Sequence, residues 1–97
     1  MTIGQKIKEL RENHGLLQKE LASKLKIGEG YLSKVENNQK TLNKDHLVEI
    51  SHLFNYPIAD LEILWLGTKV YDLIKEENDA LRVLKVAEEN FEYNRRI

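Results

Sequence analysis

Between Gln18 and Asn37 the chain reads QKELASKLKIGEGYLSKVEN, and this stretch restricts the fold more than any other. Leu21, Ala22 and Leu25 line one face of a helix about two turns long, and Leu32 with Val35 lines one face of a second. Glu20 falls in the first turn of the former, where a carboxylate suits the positive end of the helix, and Leu16 is spaced to staple onto Leu21. Gly28 can cap the latter, and Ile27 with Leu32 repeats the staple spacing. About three residues remain to join the two helices, so they must cross steeply as a helix-turn-helix. Ala22 then lies at the closest approach, where only a small side chain fits. Leu25 and Ile27 fill the angle, and Leu32 and Val35 anchor the second helix to a core. Its other face carries Glu29, Gly30, Ser33, Lys34 and Asn37, a polar strip free to enter a major groove.

The same helical period runs along nearly the whole chain, and no strand-like alternation persists. Ile3, Ile7 and Leu10 mark a first helix that Thr2 and Gln5 can open as a capping box and Gly15 can end. Asn43, flanked by Leu42 and Leu47, opens a fourth on Leu47, Ile50 and Leu53, and Asn55, Tyr56 and Pro57 break it. The fold class expected is all-α.

At 97 residues and 41% hydrophobic the chain can build one modest core, without room for a deep, separately walled enzyme cleft. It has no cysteine, so disulfides, thiolate metal sites and thiol nucleophiles are excluded and nothing calls for an oxidising compartment. No basic leader precedes an apolar run and no stretch is long enough to span a membrane, so a cytoplasmic location without membrane contact is expected. Net charge is only −1, yet it is unevenly spread: residues 1–45 sum to +3 and residues 46–97 to −4. Such a chain can turn its basic half to phosphate and keep acidic surface away from it.

Gln18, Glu20, Leu21, Ala22, Leu25, Ile27, Leu32, Val35, Glu36 and Asn37 together resemble the helix-turn-helix of the phage repressor and Cro family, also called the XRE family. The resemblance covers about residues 2–64 and includes Arg11, which matches an arginine that pairs in this family with the glutamate at Glu36. It implies a five-helix, lambda-repressor-like domain that binds duplex DNA as a two-fold dimer on an inverted repeat, and regulates transcription as a repressor or autoregulator. Carried over by position, Glu29, Gly30, Ser33 and Lys34 match base-reading residues, with Lys34 able to donate to guanine O6 and N7 and Glu29 able to accept from cytosine N4. Gln18, Gly28, Tyr31, Asn37, Asn38, Gln39, Lys40 and Thr41 match positions on the DNA backbone. Three departures stand out. Leu17 replaces the usual capping Ser, Thr or Asn; Lys26 occupies a turn position where the family often has glycine; and glycines at 28 and 30 leave the start of the recognition helix sparsely furnished.

Other readings are weaker. His14, His46 and His52 lack the i, i+4 spacing of a helical metal pair, GEG lacks the lysine of a phosphate loop, and Ser23, Ser33 and Ser51 have no nucleophile elbow around them. No metal, cofactor or catalysis is expected.

Beyond Leu64 the chain holds more apolar surface than a five-helix domain needs, and residues 65–97 form an appended segment of one or two helices, the second starting near Asn78 and Asp79. Trp65, Leu66, Val70, Leu73, Ile74, Leu84 and Phe91 are expected at a homodimer interface, the alternative being an intramolecular cap. A different class of function keeps the same fold as a protein-interaction module, antitoxin-like, whose C-terminal helices bind a protein partner.

Overall fold

The computed structural model describes residues 1–95. Six helices follow in order: α1 (Ile3–Asn13), α2 (Gln18–Leu25), α3 (Glu29–Glu36), α4 (Lys44–Phe54), α5 (Ile58–Ile74) and α6 (Ala80–Arg95). There is no strand among the described residues.

Helix starts follow the local chemistry. Thr2 and Gln5 form the expected reciprocal box, with Gln5 N–H donating to Thr2 Oγ1 at 3.2 Å and Thr2 N–H to Gln5 Oε1 at 2.8 Å. Asn43 caps α4 by accepting from His46 N–H at 3.0 Å. Leu17 has no side-chain oxygen, so α2 keeps only half a box, in which Leu17 N–H donates to Glu20 Oε1 at 2.9 Å.

Helix ends share one device. Gly15, Lys26, Asn38 and Asn55, which follow α1, α2, α3 and α4, all have left-handed φ of 68°, 57°, 60° and 49°. In each case the next residue's N–H reaches back five residues: Leu16 to Arg11, Ile27 to Ala22, Gln39 to Lys34 and Tyr56 to Ser51, at 2.8 to 3.0 Å. This is the Schellman pattern, which satisfies carbonyls that the helix itself leaves free. Repeated four times, it turns the chain sharply enough to wrap five helices round one centre.

That centre is formed by Ile7, Leu21, Leu32, Val35, Leu42, Leu47, Ile50 and Leu61, all with essentially no exposure. Burying one such side chain is worth about 1.5–3 kcal/mol. The stripe expected on α4 ends differently, since Leu53 is exposed and Phe54 is buried against the ring of His14 at 4.7 Å between centroids. From Ile50 the inward position one turn on is i+4, which is Phe54.

α1 crosses the end of α3 so closely that a Cβ added at Gly4 would clash with the Val35 carbonyl oxygen. α5 runs unbroken through Leu64, where the sequence suggested a domain boundary, and its second half still serves the core. Thr68 Oγ1 accepts from Ile3 N–H at 2.9 Å and donates to the Leu64 carbonyl at 2.7 Å, tying the start of α1 to α5. Beyond the core domain one separate helix is added, α6, and none of its residues is buried.

Candidate nucleic-acid interface

The connection between α2 and α3 is Lys26, Ile27 and Gly28. Lys26 adopts a left-handed conformation, with φ of 57°. Ala22 and Leu25 are buried beneath that turn, and Leu32 and Val35 hold α3 to the core, as their spacing requires.

With that face committed, α3 presents Glu29, Gly30, Tyr31 and Lys34 as exposed, Ser33 as half-buried, and Asn37 as the exposed residue ending the helix. The predicted base-reading residues therefore share one accessible surface. Lys34 has no carboxylate partner among the described residues, so its ammonium is available. A Cβ added at Gly28 or Gly30 would meet nothing within 4 Å, and neither has a positive φ, so packing demands glycine at neither position.

Beneath this surface lies a buried ionic link. Arg11 Nε and Nη2 donate to the two oxygens of Glu36 at 2.8 and 3.0 Å, and Arg11 Nη1 donates to the Leu16 carbonyl at 2.8 Å. Glu36 is 4% exposed and Arg11 8%. Hydrogen bonding to that carboxylate raises the guanidinium pKa above its ordinary value, against the opposing effect of burial. One side chain thus fastens α1, the α1–α2 turn and the end of α3.

Several residues expected to meet the DNA backbone already have partners within the chain. Gln18 Nε2 donates to Glu36 Oε1 at 3.0 Å, which orients its amide on the ion pair and leaves its oxygen uncommitted there. Tyr31 donates its hydroxyl to the Thr41 carbonyl, bracing the loop after α3. Asn38 supplies the left-handed turn and donates from Nδ2 to Asp72 Oδ1 at 3.3 Å. Gln39, Lys40 and Thr41 remain exposed, and Gly28 is an exposed N-cap.

The residues expected at a dimer interface separate into two groups. Trp65 and Ile74, both expected at the interface, are each 8% exposed within their own chain, which leaves little of either side chain for a partner. Trp65 lies one turn after Leu61 on the inward face of α5, and its indole N–H donates to the Leu42 carbonyl at 2.7 Å. Ile74 is closed over where the chain turns towards α6. Leu66, Val70, Leu73, Leu84 and Phe91 do face outward, at 51, 46, 80, 41 and 69% exposure. Val70, Leu84, Ala87 and Phe91 border one open groove between α5 and α6.

Sequence reasoning missed the close approach at Gly4, the anchoring hydroxyl of Thr68 and the link from Asn38 to Asp72. It also missed Lys44 and Lys69, whose ammonium groups lie 5.8 and 3.7 Å from the centre of the Trp65 ring. Twenty-five positions separate these lysines, so no local spacing could have joined them. No group of three or more His, Asp or Glu residues comes together in a metal-holding arrangement among the described residues. No described helix is long and apolar enough to cross a membrane.

Residues 7–61 match the helix-turn-helix family model, and the chain belongs to that family, in the phage-repressor or XRE form that its sequence resembles. Over 55 residues it is 40% identical to the HTH-type transcriptional regulator ImmR of Bacillus subtilis (strain 168), a match that takes in 57% of this chain and 43% of ImmR. The chain thus corresponds to less than half the length of that relative. Among solved structures it is similar to the clp gene regulator ClgR from Corynebacterium glutamicum, with a TM-score of 0.57 and 27% identity across 88% of each chain.

Proposed function

We propose that this protein is a sequence-specific duplex DNA-binding transcriptional regulator, a repressor or autoregulator, that acts as a homodimer on an inverted repeat with α3 in the major groove. The observation that carries the reading is the division of α3. One face is locked into the core and tied through Glu36 to Arg11, while the other offers Glu29, Ser33 and an exposed Lys34 with no carboxylate partner among the described residues. In this reading Lys34 donates to guanine and Glu29 accepts from cytosine. Gln18, Gly28, Asn37, Gln39, Lys40 and Thr41 contact phosphates, while Tyr31 and Asn38 shape the loop that makes those contacts. The named relatives, both regulators, support the same reading.

A dimer is supported by α6, a 16-residue amphipathic helix with no buried residue of its own. Such a helix gains little from its own chain and needs an apolar surface to cover it. In this reading Leu66, Val70, Leu73, Leu84 and Phe91 meet a second copy, placing two α3 helices about one DNA turn apart. The same exposed helix favours one alternative, a protein-interaction module whose α6 binds another protein.

Titrating salt against a mixed-sequence duplex separates the two. A DNA-binding regulator weakens steeply as salt rises, because phosphate contacts release counterions. Absence of measurable duplex affinity even at low salt would leave the interaction module as the better reading.

A further inference from the structure

The sole tryptophan is an unusual meeting point. Trp65 is buried and holds the Leu42 carbonyl through its indole N–H at 2.7 Å, at the far end of the loop that follows α3. Two ammonium groups converge on its ring from different helices, Lys69 of α5 at 3.7 Å and Lys44 of α4 at 5.8 Å. Both lysines are exposed, and neither has a carboxylate within ion-pair distance among the described residues. An aromatic face attracts a cation without cancelling its charge. The result is two charges held near one indole with no counter-ion of their own.

We propose that Lys44 and Lys69 form a phosphate clamp, stacked on Trp65, that grips the DNA backbone next to the loop of residues 37–41. The proposal rests on the DNA-binding reading above and carries its footprint beyond the helix-turn-helix, onto α5. Position is the reason for assigning the clamp to duplex DNA. Lys44 lies two residues after Leu42, and the indole that both ammonium groups approach also donates to that loop end, which ties the clamp to the loop. Contact with the ring at 3.7 Å also holds the long Lys69 side chain near its working geometry before binding, which reduces the ordering needed when a phosphate arrives. Lys69 is then a cation placed for DNA within the otherwise acidic half of the chain.

The test measures duplex affinity of the full chain against salt for wild type, Lys69→Met, Lys69→Arg and Lys44→Gln. Methionine keeps an unbranched stem over the indole while removing the charge. Each charge-removing variant should lower the slope of log affinity against log salt by about 0.9 per bound protomer, and Lys69→Arg should keep the wild-type slope. Preference among base sequences should not change, because phosphate contacts position the protein without reading sequence. Wild-type slopes in both Lys69→Met and Lys44→Gln would overturn the clamp. So would an unchanged slope accompanied by loss of self-association, which would assign the lysines to carboxylates of a second copy. If Lys69→Met fails to fold, Lys44→Gln decides alone. A wild type that binds no duplex would remove the DNA reading and the clamp together, whereas normal binding with unaltered slopes would remove the clamp only.

Discussion

Arg11 and Glu36 show what a single pair of residues contributes to this fold. Their bidentate contact is buried, so removing one partner strands the other charge away from water. Arg11→Ala should cost about 3–5 kcal/mol in a denaturant titration, and the double change Arg11→Met with Glu36→Leu should recover much of it. The guanidinium is held above its ordinary pKa chiefly by its hydrogen bonds to Glu36. A raised basic group contributes stability that is complete below its unfolded value and is lost only as pH rises through the folded one. The Tm difference between wild type and Arg11→Ala should therefore stay constant from about pH 7 to about pH 9. Gly30 separates folding from recognition in the opposite direction. Nothing packs where its Cβ would be, so Gly30→Ala should stabilise α3 by about 0.5–1 kcal/mol. If Gly30 faces a groove, the same methyl group should alter DNA affinity, measurable by fluorescence anisotropy. The ion pair was legible in the sequence because a known pattern names both partners. The partners of Gln18, Tyr31 and Asn38 were not, because they lie 18, 10 and 34 positions away and no local rule links them.

Among the elements, the starts of α1, α3 and α4 and the stops near Gly15 and Asn55 were legible because they depend on neighbours along the chain, whereas the run of α5 past Leu64 was not. Thr2 with Gln5, Asn43 and Gly28 all lie where capping chemistry predicts. What the periodicity could not give was phase at a helix end, where Leu53 and Phe54 are both apolar and only packing against His14 chooses between them. The four left-handed stops offer a comparison within one molecule. Three use glycine or asparagine, which tolerate that conformation, and Lys26 is the exception. Left-handed backbone costs an ordinary residue about 1–2 kcal/mol, offset in part by the extra chain entropy that glycine loses on folding. Lys26→Gly should raise stability by about 0.5–1 kcal/mol, seen as a higher denaturant midpoint with an unchanged slope. A lower midpoint would mean that the lysine side chain contributes more than its backbone strain costs.

For the whole molecule, the sequence supplied the apolar excess of the last third but not its direction. Trp65 and Thr68 turn inward and Ile74 is covered where α5 meets α6, whereas Leu66, Val70 and Leu73 face out and no residue of α6 is buried, so the segment helps complete the core and still leaves apolar surface uncovered. A helix period identifies an apolar stripe without saying which chain buries it. Leu84→Glu together with Phe91→Glu should leave the thermal stability of the core nearly intact but shift sedimentation from dimer to monomer at tens of micromolar protein. A monomeric wild type under those conditions would remove the dimer from the account. The central claim, that α3 reads base sequence, is tested most directly by selecting binders from a random duplex pool at near-physiological salt with wild type and Lys34→Ala in parallel. The account predicts an inverted repeat with half-sites about one helical turn apart, in which Lys34→Ala blurs one symmetric position. Identical enriched sequences from both proteins, or no enrichment by wild type, would contradict it.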